Sequence, residues 1–277
     1  MIVALARSSH PGPSLAVTAV AAILGASAGL EPWRLVILTL VIATNQLSIG
    51  LSNDWIDAAR DTAVGRRDKP VALGLVTPDT VRNAALVAAA LSIALTLALG
   101  PWAVLANGVF VLSGWLYNAG LKTTPLSVVP YIVGFGSLPV LVTLAQPVPA
   151  FAAWWTILAG ALLGVAAHFA NVLPDLADDR ATDICGLPHI LGAKVSGIVT
   201  GLALGVASVS VVWGSGSRPD PVHLIGGGVS ITLAVACIVL AAMRPAAMPP
   251  TRLMFRIIMM AAILNVALIA LTGDRLQ

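Results

Sequence analysis

Residues 83–121 read NAALVAAALSIALTLALGPWAVLANGVFVLSGWLYNAGL, a stretch without a single Asp, Glu, Lys or Arg. A helical crossing of a bilayer needs only about 20 apolar residues, so the run is long enough for two. Gly100 and Pro101 divide it near its middle. Proline cannot continue a helix ladder, so we expect a hairpin of two transmembrane helices there. A second charge-free run, Thr123 to Pro174, is cut in the same way at Gln146-Pro147-Val148-Pro149, because the residue before a proline avoids the helical region. Both runs are continuously apolar and rich in Ala, Leu, Val and Gly. That pattern excludes the short alternating segments of a β-barrel and leaves helices to satisfy the backbone in lipid.

The rest of the chain agrees. Of 277 residues, 58% are hydrophobic and 10% charged, against about 25% charged in soluble domains. Breaking the apolar runs at their polar and Gly/Pro interruptions predicts nine crossings, centred near Ala22, Val41, Ala90, Val109, Gly134, Leu162, Gly205, Leu233 and Leu264. The expected fold is an all-α integral membrane protein, a nine-transmembrane-helix bundle forming a single domain over residues 1–277. Met1 to Ser14 carry one cation, Arg7, and no small-residue cleavage pattern, so the first helix is expected to stay in place. Cys185 and Cys237 are a single unmatched pair with no CxxC pattern and are assigned to packing.

Lys and Arg divide twelve to three between the two sides of this topology, with only Arg34, Arg218 and Arg275 on the poorer side. The positive-inside rule puts the richer side, with the amino terminus, in the cytoplasm and the carboxyl terminus opposite. The net charge of +3 therefore reflects topology and calls for no nucleic acid. Nine of the twelve acids lie on the same cytoplasmic side. Orientation does not demand that, because acids contribute little to topology.

An offset of 118 residues aligns Asn53 with Asn171, Asp57 with Asp175, Asp61 with Asp179, Pro70 with Pro188, Leu73 with Leu191 and Gly74 with Gly192. The alignment reads as two related, Asp-rich helix-loop units, about 35–100 and about 151–215. Within each unit the polar residues are four apart: Asn53, Asp57, Asp61, and Asn171, Asp175, Asp179, with Asp183 one step further. Residues at i and i+4 share a helix face, so each unit presents a stripe of oxygen ligands. Facing stripes would crowd carboxylates that repel one another and lose hydration. Mg²⁺ resolves both, and it completes its shell with water and substrate phosphate. The bland alternative is helix capping by isolated acids.

The basic residues fit a phosphorylated ligand. Arg66, Arg67 and Lys69 follow the first stripe, Arg180 and Lys194 flank the second, and Lys122 lies in a cytoplasmic loop just after Tyr117. They can neutralise charge that the metal leaves over, although positive-inside topology alone would also place them there. Tyr117 could equally be an interfacial anchor. Asp54 and Asp178 fall off the stripe and Asp79 reads as a first-turn acid. His10, His168, His189 and His223 share no spacing and are read as structural.

With its NDxxDxxxD block N53-D-W-I-D57-A-A-R-D61 and its later block D175-L-A-D-D179-R-A-T-D183, the chain resembles the UbiA-type superfamily of intramembrane prenyltransferases. The segment Y117-N-A-G-L-K122 is similar to that family's Tyr- and Lys-containing segment after the fourth helix. The resemblance implies that Asn53, Asp57, Asp61, Asp175 and Asp179 bind an isoprenyl diphosphate through Mg²⁺, two ions being expected, with help from Lys122 and a basic loop residue. Asp183 fits only the longer form of the second motif. It further implies transfer of the prenyl group to a lipophilic acceptor, most often aromatic. A terpene cyclase acting on the prenyl diphosphate itself would use the same metal site and is the alternative. A transporter would bury its ionisable groups near the midplane, whereas these acids cluster at helix ends.

Overall fold

The computed structural model describes residues 1–173, 185–214, 218–243 and 252–277, the side chains of residues 252, 255 and 274 aside. All regular structure among them is helical: α1 (Ile2–Ser8), α2 (Pro11–Ser27), α3 (Pro32–Ala63), α4 (Pro78–Thr96), α5 (Pro101–Ala119), α6 (Val129–Leu144), α7 (Trp154–Val172), α8 (Leu187–Trp213), α9 (Pro221–Met243) and α10 (Arg252–Leu271). Proline occupies the first or second position of α2, α3, α4, α5, α6 and α8. There its fixed φ suits the helix and its missing N–H would have no partner anyway.

There are ten α-helices among the described residues, where nine were expected. The nine expected centres fall in order within α2 to α10. The additional element is α1, whose seven residues are far too few to cross a bilayer and too few to give a readable period. By length and composition, five helices are long and apolar enough to span a membrane: α3, α4 with its 3₁₀ extension to Leu99, α7, α8 and α9. Pro11–Ser27, Val129–Leu144 and Arg256–Leu271 are apolar but shorter.

Consecutive helices pack as neighbours, and α10 returns against α2 and α7, which closes the bundle. A shared core runs through Leu38, Val41, Ile42, Phe110, Leu141, Trp155, Leu204 and Leu268. The chain turns at Gly100–Pro101 and again between Leu144 and Trp154, as the charge-free runs require. Two glycines set the spacing that matters for the interior. A Cβ on Gly164 would collide with the Tyr131 carbonyl, so α6 and α7 meet backbone to backbone and Tyr131 is held against α7. A Cβ on Gly50 would collide with the Ser9 carbonyl, so the α1–α2 connection lies directly on α3.

Candidate functional site

α3 runs for 32 residues, or about 48 Å. That exceeds the roughly 30 Å hydrocarbon thickness, so its acidic end emerges into the interfacial layer. Asn53, Asp57 and Asp61 lie on one face of this end, and Asp57 and Asp61 are buried, 7% and 4% exposed. A buried carboxylate needs a partner. Lys122 approaches both oxygens of Asp57 at 2.5 and 2.6 Å, and Arg60, one turn along α3, adds a contact at 3.0 Å and a longer one to Asp61 at 3.8 Å. Lys122 stands in the 3₁₀ turn Leu121–Thr123 after α5. Burial pulls its ammonium pKa down, and the Asp57 carboxylate opposes that pull.

The Asn53 amide donates to Asp57 Oδ2 and to Asn118 Oδ1, both at 3.2 Å. Asn118 in turn donates to the Ile49 carbonyl and to Ser52, which locks the end of α5 onto α3. The off-stripe Asp54 is only 1% exposed and makes a triangle of its own. Lys69 approaches its Oδ1 at 2.6 Å and His10 Nε2 at 3.0 Å. Lys69 also lies 3.0 Å from His10 Nε2 and donates at 3.4 Å to Asn53 Oδ1. His10 caps α2 with φ +52°, the only positive φ at a non-glycine among the described residues. A strained backbone of this kind persists only where its surroundings hold it.

Of these groups His10, Asn53 and Asn118 line the mouth of one cavity that encloses, with its opening, ≈ 900 Å³. Asn53, Tyr117, Tyr131 and Asn171 form the polar end, and Val17, Ile49, Phe110 and Phe135 line the apolar part. Tyr131 shares hydrogen bonds with Tyr117 and Asn171, and its ring lies edge-on to Tyr117 at 5.2 Å. Asn171 and Asn53 thus reach the same space from α7 and α3.

The expected site residues separate into three groups. Asn53, Tyr117 and Asn171 line this mouth, Asp57 and Lys69 are hydrogen-bonded to Asn53, Lys122 pairs with Asp57, and Asp61 lies a turn further along α3. Arg66 is instead engaged with Asp68 in a two-pronged contact at 2.8 and 2.7 Å, and Arg67 and Lys194 are exposed. Asp175, Asp179, Arg180 and Asp183 lie outside the described residues. α7 itself ends at Val172, before the acids of its unit, so the described helix does not carry a second stripe in the way that α3 carries the first. Sequence reasoning passed over Arg60, Asn118, Tyr131 and His10. An i,i+3 spacing from Asp57 marks Arg60, and an amide within an apolar run marks Asn118.

The donor set on α3 is oxygen only, which suits a hard cation such as Mg²⁺. Among the described residues no three His, Cys, Asp or Glu side chains form a cluster that could hold a metal alone. A complete site would draw its remaining ligands from water, phosphate and the segment after α7.

A family model described as the UbiA prenyltransferase family matches residues 14–259. The bacteriochlorophyll synthase 33 kDa chain of Cereibacter sphaeroides is 28% identical over 230 residues, covering 74% of this chain and 70% of that protein. Among solved structures, a UbiA homolog from Archaeoglobus fulgidus bound to DMAPP and Mg²⁺ superimposes with a TM-score of 0.73 at 13% identity, covering 97% of this chain and 99% of that one. The same homolog bound to GPP and Mg²⁺ gives 0.72. A digeranylgeranylglyceryl phosphate synthase gives 0.72 at 15% identity, covering 99% and 98%. At these identities the structural likeness is one of fold.

Proposed function

The chain belongs to the UbiA prenyltransferase family and is a membrane-embedded prenyltransferase, and from that premise we propose that it transfers the prenyl group of an isoprenyl diphosphate to a lipophilic, aromatic acceptor. One observation carries the reading. Hydrogen-bonding groups at the mouth of a cavity, tied through Asn53 to Lys69 and to the Asp57–Lys122 pair, adjoin a wall of Val17, Ile49, Phe110 and Phe135, which matches a ligand with a polyanionic head and a hydrocarbon tail. The fold neighbours bound to DMAPP and GPP support a ligand of this class.

In this account Asn53, Asp57 and Asp61 hold Mg²⁺, two ions in all, together with Asp175 and Asp179 and with Asp183 as a further candidate. The metal would neutralise diphosphate charge and make it a better leaving group. Lys122 and Lys69 exchange their carboxylate partners for diphosphate oxygens, with Arg66, Arg67, Arg180 and Lys194 as outer cations, and Asn171 and Tyr117 orient the head. The bond from the allylic carbon to diphosphate breaks and its electron pair leaves with the diphosphate. The acceptor supplies the electron pair of the new bond and then loses a proton. Phe110, Phe135 and Val17 keep water from the cation-like carbon. The excess of cations on one side supports a mouth at the cytoplasmic face.

The test is to incubate the purified chain in detergent with Mg²⁺ and geranyl diphosphate, with and without a phenolic acceptor. Intact diphosphate until acceptor is added, followed by a prenylated product, is the expected result. A cyclic hydrocarbon or alcohol formed without acceptor would overturn the transfer reading.

A further inference from the structure

Two helical turns before Asn53, and on the same face of α3, Gln46 lines the same cavity. Seven residues of helix put it about 10 Å deeper. An amide at membrane depth needs a reason, because lipid offers it no partner. Half of this amide is accounted for. Gln46 Nε2 donates to Asn45 Oδ1 at 3.1 Å, Asn45 Nδ2 donates to Asn107 Oδ1 at 2.9 Å, and Asn107 Nδ2 donates to Ser92 Oγ and Thr96 Oγ1, both at 2.9 Å. Ser92 closes the series on the Val41 carbonyl, and Thr96 on the Ser92 carbonyl. Asn45, Ser92, Thr96 and Asn107 are all 0% exposed.

Every hydrogen bond in this series runs away from the cavity. The two hydroxyls at the far end are committed to backbone carbonyls, so reversing Asn107 or Asn45 would set donors against donors. The direction of the Gln46 amide is therefore fixed from behind. Its Oε1 is left as an acceptor with no partner among the described residues. Hydrogen bonds that all run one way polarise one another and strengthen the terminal acceptor. The other hydroxyls lining this part of the cavity do not face it with a fixed acceptor: Ser14 donates to the Ser9 carbonyl and Ser113 to the Phe110 carbonyl. Helix packing does not require Gln46, since Asn45 already joins α3 to α5.

We propose that Gln46 is a specificity-determining residue for the acceptor, and that its Oε1 receives a hydrogen bond from an O–H or N–H group across the acceptor's body from the position that takes the prenyl group. This rests on the prenyl-transfer reading above. A prenyl tail has no donor to offer, so the occupant of this subsite is the acceptor. The reacting carbon lies next to the diphosphate at the mouth, and the separation left to Gln46 is on the order of an aromatic ring with its substituents. The acceptor class is a lipophilic aromatic or ring compound with an uncharged donor at its far edge.

The experiment measures equilibrium binding of hydroquinone and of its dimethyl ether to the purified full chain in the presence of Mg²⁺ and geranyl S-thiolodiphosphate, an analogue that fills the prenyl site without reacting. One net hydrogen bond predicts that the wild type prefers hydroquinone by about tenfold. Gln46→Leu and the straighter Gln46→Met should both bring the ratio to about one, while binding of the thiolodiphosphate stays unchanged and Gln46→Glu keeps the preference. Equal affinity for the two probes in the wild type, as when the subsite holds only water, overturns the proposal. So does a preference that survives in either apolar variant. Failure of the wild type to bind the thiolodiphosphate would instead overturn the function on which the proposal stands.

Discussion

α3 and α7 reach the same cavity with the same residue, Asn53 from one and Asn171 from the other, yet they continue differently. α3 stays helical for ten residues beyond its asparagine and carries Asp57 and Asp61 along one face. α7 ends at Val172, one residue after Asn171. Proline at 174 marks the contrast, since it has no N–H to give to the helix ladder; the first unit has Ile56 at the corresponding position. A sequence likeness between two units therefore gives no licence to copy one unit's geometry onto the other. On α3 the ligand spacing is a property of the helix. After α7 it must come from whatever the chain does next.

The largest effect should follow loss of the helical stripe. Asp57→Ala is expected to lower turnover on the order of a thousandfold while the protein still inserts and purifies as a folded species, and retained turnover would remove the stripe from the mechanism. Chelation with EDTA should abolish activity and Mg²⁺ restore it, with an unaffected rate counting against any metal. A smaller effect separates the two asparagines. Asn53 is tied to Asp57, Asn118 and Lys69, so Asn53→Leu should cost more than Asn171→Leu, for which we expect about a tenfold rise in KM for the prenyl diphosphate. Equal losses would mean that the two helices contribute alike despite their different ends.

Packing supplies the next test. Gly164→Val should force α6 from α7 and destabilise the protein by about 1–3 kcal/mol, read as a lower unfolding temperature in detergent. The smallest effect belongs to the loop after α3. The Arg66 guanidinium holds the Asp68 carboxyl down from 3.8 to about 2. A lowered carboxylate pKa adds stability above pH ~4, and that contribution disappears as pH falls from 3.8 through about 2. The pair is 40% and 62% exposed, so Arg66→Gln should change stability by less than about 0.5 kcal/mol at neutral pH. A larger change would mean that the loop is fastened more firmly than its exposure indicates.

The charge-free runs made most of the bundle legible, because a bilayer tolerates few residue types and each long helix must announce itself by composition. α1 was illegible, since seven residues carry no such constraint. The first stripe could be read because spacing by four survives into geometry. What spacing could not supply was partnership. Lys122 stood out as a cation near Tyr117, but its pairing with Asp57 crosses 65 residues, and no local pattern encodes that. Asp54 and His10 looked minor because one lies off the stripe and the other has no companion at a metal-ligand spacing, whereas Lys69 brings them together from the following loop. Asn45, Gln46, Asn107 and Asn118 did leave a trace, as amides inside apolar runs. Their value depends on which way each amide faces, and only the hydrogen-bond network of the folded bundle sets that.

The long gap between Asp57 and Lys122 also bears on biogenesis. At a synthesis rate of about 5–20 residues per second, several seconds separate the emergence of the carboxylate from that of the ammonium. α3 must enter the bilayer before that counter-ion exists. A helix cut to the thickness of the hydrocarbon would draw its acids into lipid during the wait, but the overhang of this one leaves them bathed by headgroups and water until α5 and the turn behind it have been made. The surplus length of α3 thus serves assembly as well as chemistry, by letting insertion precede neutralisation.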